Sequence, residues 1–334
     1  MPFQNEKALA EYQEGVRLAP DNVVGYGNLG STYFSLNRLD EAKATFDQAM
    51  ARKLDDGLLR VGIYYLAFLR GDSAQMEQQV AWGAGKPGDE DYLLSAQSDT
   101  EAYYGRLSKA RDFSRRAVDS AVRADSKETA ALWQANAALR EAELGDTASA
   151  KQGVKAALAL SPGRDVKEVA ALALARIDDA PRAIALVGEL QKSYASNALL
   201  KLYWLPTINA AIELSKGNSS QALVYLEAAA PYELQSATTI NYLYPAYVRG
   251  QAYLLARNGT AAAAEFQRML DDRGIMLNFV TGALAHLQLG RAYAMAGDTA
   301  KAKSAYQDFF ALWKDADRNI AVLKEAKAEY ARLQ

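Results

Sequence analysis

The sequence predicts an all-α fold, a right-handed superhelical solenoid of antiparallel helix pairs. Three observations carry this prediction. Small residues recur every thirty-four positions in the first third of the chain, Gly- and Asp-rich turn signals separate the apolar segments, and 50% of the 334 residues are hydrophobic without any composition break. A chain of this length is too long for one ordinary hydrophobic core, yet its even composition shows no boundary between two domains. A repeat array accounts for both facts, because each repeat packs only on its neighbours.

The period is clearest at a marker position, the small residue expected in the second helix of each pair. Ala8, Ala42, Met76 and Ala110 follow one another at intervals of thirty-four residues. Self-similarity at this period is typical of stacked helix pairs. In the C-terminal half the interval grows to about forty residues, which predicts longer helices or turns there. The later markers are Ala150, Ala183, Ala222, Ala262 and Ala302.

Turn signals fall between the two helices of each predicted pair. Glycine is expected to end the first helix, because it adopts the left-handed conformation without strain, and the polar residue is expected to cap the second helix. The signals are Arg70-Gly71-Asp72, Leu144-Gly145-Asp146-Thr147, Lys216-Gly217-Asn218, Asn258-Gly259-Thr260 and Gly297-Asp298-Thr299.

The two ends of the array differ. Ala8, Tyr12 and Pro20 match only the second half of a repeat, so the chain is expected to begin in mid-repeat and to derive from a longer polypeptide. The predicted organisation is a helical repeat array over residues 1–317, with about eight to nine helix pairs of which the first is truncated, and a capping helix over 318–334. The last helix is expected to be a cap because only one of its faces is apolar and the others are charged. That face contains Leu323, Ala326, Tyr330 and Leu333.

Composition excludes several classes of function. The formal charge is -2 with acids and bases interspersed, so no basic stripe is present to neutralise phosphates, and nucleic acid is not an expected partner. The absence of cysteine excludes disulfides, thiolate nucleophiles and cysteine-bound zinc. No stretch approaches the ~20 apolar residues of a membrane span, which predicts a soluble segment on either side of a membrane.

Few motifs suggest chemistry. Residues 81–88 (AWGAGKPG) superficially resemble a phosphate loop, but Pro87 stands where a hydroxyl should contact magnesium and no strand precedes it, so an interhelical loop is expected. His286, the only histidine, is expected to pack in the core. The acidic runs at 89–91, 178–179 and 271–272 lie in predicted turns, where solvated helix caps are expected. No catalytic, cofactor or metal site is predicted, and we expect no enzyme.

One repeat carries a recognisable order of residue types. Between Tyr26 and Phe46 the chain presents an aromatic residue, Leu29-Gly30, Tyr33 and Ala42 before the second aromatic, and this order resembles the tetratricopeptide repeat. The same order returns from His286 to Tyr306. The resemblance implies a binding and scaffolding module in which the first helix of each pair lines a concave groove for a protein or peptide ligand.

Mapping that groove onto this chain selects large aromatic residues and one arginine, the types that dominate binding hot spots. The alternative is that most of them belong to the core. Relatives that clamp a C-terminal carboxylate use Lys and Asn in the groove, whereas the matching positions here are Gly27, Ser31, Val61 and Tyr65, so this mode is not expected. The candidate groove residues are Tyr65, Phe68, Tyr92, Tyr103, Trp204, Tyr244, Tyr247 and Arg291.

Four longer segments (82–118, 128–143, 244–254 and 282–334) resemble the C-terminal repeat region of bacterial serine/threonine protein kinases. The resemblance implies a non-catalytic sensor or regulatory region, covalently linked to an N-terminal kinase domain. This chain contains no glycine-rich kinase loop, no H-R-D and no D-F-G. The alternatives are a free-standing adaptor for envelope or complex assembly and the repeat region of a transcriptional regulator.

Overall fold

The computed structural model describes residues 2–234 and 243–333, and the predicted all-α solenoid of antiparallel helix pairs is confirmed. Over these ranges the chain contains α-helices, one π-helical turn (Leu200–Trp204) and one 3-10 turn (Ala230–Tyr232), without any β-strand. The α-helices are α1 (Pro2–Leu18), α2 (Val23–Ser35), α3 (Leu39–Ala51), α4 (Gly57–Arg70), α5 (Ser73–Gly83), α6 (Glu90–Tyr103), α7 (Leu107–Arg123), α8 (Lys127–Glu143), α9 (Thr147–Leu160), α10 (Arg164–Arg176), α11 (Ala180–Ser193), α12 (Leu205–Ser215), α13 (Ser219–Ala229), α14 (Tyr244–Leu255), α15 (Gly259–Asp271), α16 (Arg273–Met276), α17 (Val280–Met295), α18 (Thr299–Leu312) and α19 (Ala321–Ala331).

The helices pack as consecutive pairs. In the described part of the chain, the pairs are α2–α3, α4–α5, α6–α7, α8–α9, α10–α11, α12–α13, α14–α15 and α17–α18. Successive first helices also pack on one another, and α6 and α8 are joined by side-chain hydrogen bonds. The helix α1 precedes the first pair and packs on α2. The one-turn helix α16 is inserted between the last two pairs, and α19 follows them.

The predicted markers occupy one structural position. From Ala42 onward, each marker is the fourth residue of a second helix and is buried. At every marker except Met76 the side chain is that of alanine, which lets the two helices of a pair approach closely. In the α2–α3 and α14–α15 pairs the first helix also contributes a glycine near the crossing, since a Cβ on Gly30 would lie 2.3 Å from the Phe46 ring and one on Gly250 would lie 2.5 Å from Phe266.

The turn signals act as predicted at four of the five positions. Gly71, Gly145, Gly217 and Gly297 have φ between +71° and +85°, and the next residue accepts a hydrogen bond from the first turn of the following helix. Gly259 was expected to end a helix, but it begins α15. Its role is close packing, because a Cβ there would lie 2.6 Å from the Ala292 carbonyl oxygen of α17.

The solenoid closes on itself at α16. Gly274 is pressed against α2, since a Cβ on this residue would lie 1.9 Å from the carbonyl oxygen of Phe34. The Gly274 amide donates to Asn37 Oδ1 at 3.1 Å, and Asn37 Nδ2 donates to the Asp271 carbonyl at 2.9 Å. Arg273 Nη2 donates to the Leu69 carbonyl at 2.5 Å. These contacts join the first two pairs to a segment more than 200 residues later in the chain.

Beyond α16, the C-terminal helices lie on the concave side of the middle pairs, where α17 contacts α6 and α8. Asn278 Nδ2 donates to the Ala96 carbonyl at 2.7 Å and to Thr100 Oγ1 at 2.9 Å. Trp313 Nε1 donates to the Tyr103 carbonyl at 2.9 Å. The middle of the predicted groove is therefore occupied by the chain itself.

The C-terminal helix α19 packs on α18, and its Glu329 carboxylate makes several of the hydrogen bonds that hold it. Glu329 accepts hydrogen bonds from Arg291 at 2.8 and 2.9 Å and from the Tyr306 hydroxyl at 2.8 Å. Leu323 and Ala326 on its inner face are buried. The function of this helix as a cap remains a prediction.

Within the described ranges, no helix has the length and apolar character needed to cross a membrane.

Candidate functional site

Three of the predicted groove aromatics belong to the core. Trp204, Tyr244 and Tyr247 are at most 5% exposed. The Tyr244 hydroxyl donates to Glu143, which also accepts from Arg176 at 2.6 Å. Sequence reasoning placed these side chains on an open concave face. Tyr244 and Tyr247 are covered because the superhelix is tight enough for side chains of α8, α10 and α14 to meet on that face, where Glu143, Arg176 and these tyrosines contact one another.

Three more predicted residues have internal partners. Phe68 and Tyr103 pack edge to face with ring centroids 5.0 Å apart, and Tyr103 also lies against Gly282 of α17. Burial raises the pKa of Tyr103 to about 12. Arg291 is paired with Glu329 of α19. These contacts leave Phe68, Tyr103 and Arg291 engaged within the protein.

The remaining two, Tyr65 and Tyr92, line a cavity of about 360 Å³ on the inner face of α2, α4 and α6. We call it the N-terminal cavity. Its main lining residues occupy three equivalent helix positions that recur every thirty-four residues, because the repeat places the same helix face in each pair toward the groove. These residues are Leu58 and Tyr92, then Gly27, Val61 and Ser95, then Ser31, Tyr65 and Asp99.

The walls of the N-terminal cavity are apolar and aromatic. Trp133 of α8 packs edge to face with Tyr92, with ring centroids 5.1 Å apart. Leu58 and Tyr92 are 49% and 39% exposed, which is unusual for large apolar side chains in this protein. Concave sites with apolar walls and a few placed polar groups are the usual form of a ligand pocket.

One end of the cavity is formed by α16 and the residue that follows it, the segment that closes the solenoid. Leu277, just after α16, lines the cavity with φ 49° and ψ −135°, a conformation that is rare for a non-glycine residue. Such backbone strain persists only where the surrounding contacts enforce it. Here the bonds of Gly274 to Asn37 and of Asn278 to Thr100 fix the backbone on both sides. Closure of the solenoid therefore shapes the cavity.

Two carboxylates, those of Asp89 and Asp99, are the charged groups of the cavity lining. Asp99 accepts hydrogen bonds from Asn136 at 3.0 Å and from the buried guanidinium of Arg140. Burial raises the pKa of Asp99, while the attraction of Arg140 opposes that shift. Asp89 stands at the start of α6, and its Oδ1 would lie 2.0 Å from a Cβ on Gly57. Both aspartates line the cavity.

Asp91 was expected to be a solvated cap, and that expectation is wrong. The residue is 1% exposed, and its Oδ2 accepts a hydrogen bond from Trp133 Nε1 at 2.8 Å. Burial raises the pKa of its carboxyl group. Because Asp91 lies one residue inside α6, it faces the neighbouring first helix α8 instead of the solvent. Sequence reasoning assigned the whole acidic run to a turn and missed this contact.

The other motifs behave as structural elements. The glycine-rich segment is a loop between α5 and α6, in which the Lys86 ammonium lies 3.3 Å from the centre of the Trp82 ring and the Gly85 amide donates to Glu90 at 3.1 Å. His286 is half-buried on α17, and burial lowers its pKa. Among the described residues, no three or more His, Cys, Asp or Glu side chains are placed to hold a metal ion.

Comparison with known proteins identifies one unit of the array. Residues 24–56 match the family model of the tetratricopeptide repeat, and this segment covers α2 from its second residue and the whole of α3. The α2–α3 pair is similar to a tetratricopeptide repeat. The earlier resemblance of residues 26–46 to this family is thereby confirmed. Comparison with the sequences of curated proteins gives no match.

Solved structures show similarity in fold. Human IFIT1, in a dimer with PPP-AAAA, is 17% identical, and the alignment covers 99% of this chain and 78% of that chain with a TM-score of 0.52. A tetratricopeptide repeat protein from Parabacteroides merdae is 15% identical over 80% of this chain and 95% of that chain, with a TM-score of 0.43. At 17% identity the similarity to IFIT1 shows the solenoid fold alone, and neither structure supports the resemblance to kinase repeat regions.

Proposed function

We propose that this protein is a non-catalytic interaction module that binds an extended peptide segment of a partner protein in the N-terminal cavity. One observation carries the proposal. The cavity wall exposes two large apolar side chains, Leu58 and Tyr92, beside the rings of Tyr65 and Trp133, whereas α17 packs on the middle of the concave face at α6 and α8. Burying such side chains supplies the free energy of association.

The dimensions favour a short segment of chain. A volume of about 360 Å³ is at the small end of ligand pockets, which matches a few side chains and not a folded domain. The repeat also presents Val24, Leu58 and Tyr92 at intervals of thirty-four residues, and these side chains are 49%, 49% and 39% exposed. Together they form an apolar row along which an extended peptide can lie.

The finer part of the proposal is that the module regulates a bacterial serine/threonine kinase. It rests on the sequence resemblance of residues 82–118 and 282–334 to kinase-linked repeat regions. Reading the gene around the coding region for this chain tests it. A glycine-rich loop, H-R-D and D-F-G in the same reading frame support a kinase role, and a complete gene without them, or with a DNA-binding domain, contradicts it.

The binding proposal is tested by selecting a random heptapeptide display library against the whole chain and measuring the dissociation constant of the selected peptides. Leu58→Ala should weaken binding about tenfold, because about 1.4 kcal/mol is the contribution of burying half of a leucine side chain in an interface. Fluorescence anisotropy with a labelled peptide measures the change.

Ile184→Ala on α11 is the matched control, because Ile184 is also 49% exposed and lies outside the cavity. It should leave the dissociation constant unchanged. Equal losses in the two variants, or none in Leu58→Ala, would place the peptide elsewhere and overturn the proposal.

A further inference from the structure

The distribution of carboxylates around the N-terminal cavity allows its ligand to be specified further. Asp21, Asp55 and Asp89 recur at intervals of thirty-four residues, so the repeat places one aspartate just before the first helix of three successive pairs. The first two have partners. Asp21 accepts from Arg52 at 3.0 Å, and Asp55 accepts from Arg60 at 2.7 Å and from Trp82 Nε1 at 3.2 Å.

Asp89 differs from the other two. It is the N-cap residue of α6, yet its side chain makes no capping hydrogen bond, and it forms no ion pair or hydrogen bond with other described side chains. An N-cap aspartate usually accepts a bond from the first turn of its own helix, as Asp56 does from Leu59 at 3.1 Å. The Asp89 carboxylate instead lies against Gly57, on the wall of the cavity.

The surroundings of Asp89 disfavour its charge in the free protein. Partial burial is the main cause of its raised pKa, and the negative charges of Asp56 and Asp55 add to the shift. Lys86 opposes the shift, but its ammonium lies over the Trp82 ring and forms no ion pair with Asp89. Arg60 is held by Asp55. A carboxylate in this position gains from a cation that the described part of the protein does not supply.

Two buried acceptor atoms next to the cavity also lack donors. Asp91 Oδ1 and Asn136 Oδ1 have no hydrogen-bond partner. Their side chains bond directly to lining residues, Asp91 to Trp133 and Asn136 to Asp99. Unpaired buried acceptors are uncommon and costly. Neither residue lines the cavity, so the acceptor open to a ligand is the Asp89 carboxylate, which an ammonium or guanidinium group complements because it carries donors and no acceptor.

From this charge complementarity we infer that the cavity recognises a lysine or arginine side chain of a peptide, with Asp89 as its ion-pair partner and the rings of Tyr92 and Trp133 against its apolar stem. This inference rests on the proposed peptide-binding function. It assigns the opposite charge preference from carboxylate-clamping relatives, consistent with Gly27, Ser31, Val61 and Tyr65 at the clamp positions. The long apolar stem and charged end of Lys or Arg suit an apolar wall with an acidic rim.

The test is a double-mutant cycle that pairs Asp89→Asn with replacement of the basic residue by norleucine in a peptide selected from the heptapeptide library. Asp89→Asn should weaken binding of the basic peptide about tenfold and leave the norleucine peptide unchanged. The two substitutions are coupled because the Asp89 charge contributes to binding only when the peptide carries the basic charge that pairs with it. Asp315→Asn is the control, because it removes one equally negative charge from an exposed residue that does not line the cavity.

A stability measurement separates binding from folding. The ionised Asp89 side chain has no partner in the free protein, so Asp89→Asn should leave the urea midpoint unchanged or raise it. Selected peptides that lack lysine and arginine, or a cycle without coupling, would overturn the inference while leaving the peptide-binding function intact. Failure of Leu58→Ala to weaken any selected peptide would overturn the proposed function instead.

Discussion

Gly274→Ala should open the closed solenoid. The new methyl group would lie 1.9 Å from the Phe34 carbonyl oxygen, a backbone atom of α2, so relief requires α16 to move away from the first pair. Overpacking of this kind costs about 1–3 kcal/mol, and the movement also strains the hydrogen bonds of Asn37 and Arg273. We expect a larger radius of gyration in small-angle X-ray scattering and faster amide exchange in residues 273–279.

Gly188→Ala on α11 is the matched control, because Gly188 is in a helix and a Cβ there meets no atom within 4 Å. This change should stabilise the protein by about 0.5–1 kcal/mol, the usual gain of Ala over Gly in a helix interior. It should not alter the scattering curve. An unchanged radius of gyration and unchanged exchange in Gly274→Ala would show that the closure contacts do not hold the solenoid.

Asp99→Ala should be the most destabilising single substitution near the cavity. Asp99 balances the guanidinium of Arg140, which is 1% exposed, and accepts from Asn136 at 3.0 Å. Removing one partner of a buried ion pair leaves an uncompensated charge and costs about 3–5 kcal/mol. Equilibrium urea denaturation followed by circular dichroism should show this as a lower midpoint.

Asp112→Ala provides the comparison, because Asp112 pairs with arginines of the same helix on the exposed face of α7. Exposed pairs contribute at most about 1 kcal/mol. A similar small effect for Asp99→Ala would mean that Arg140 finds another partner and that this network does not support the cavity.

The repeat period allowed much of the fold to be predicted. The markers Ala42 to Ala302 depend on local helix crossing, and the turn signals depend on the backbone conformation of single residues such as Gly71. Both effects act within one helix pair, so the sequence of that pair reveals them. Tyr65 and Tyr92 were also identified as facing the groove, because their position in the pair follows from the same period.

Closure could not be predicted in the same way. The contacts of Gly274 with Phe34 and of Asn278 with Thr100 join residues about 180 to 240 positions apart, and they depend on the summed rotation between successive pairs. A small error per pair accumulates over the array. Sequence reasoning therefore treated Tyr244 and Tyr247 as groove residues. The row of Asp21, Asp55 and Asp89 was visible in the sequence, since it shares the period of the markers.

The central claim, that the N-terminal cavity is the binding site, is tested most directly by amide hydrogen exchange of the whole chain with and without a peptide selected from the heptapeptide library. Binding should slow exchange in the facing segments, residues 57–65 of α4 and 89–99 of α6, because bound peptide restricts local opening there. Helices α11 and α13 should exchange as in the free protein. Protection confined to α11 and α13, with residues 57–65 and 89–99 unchanged, would contradict the claim.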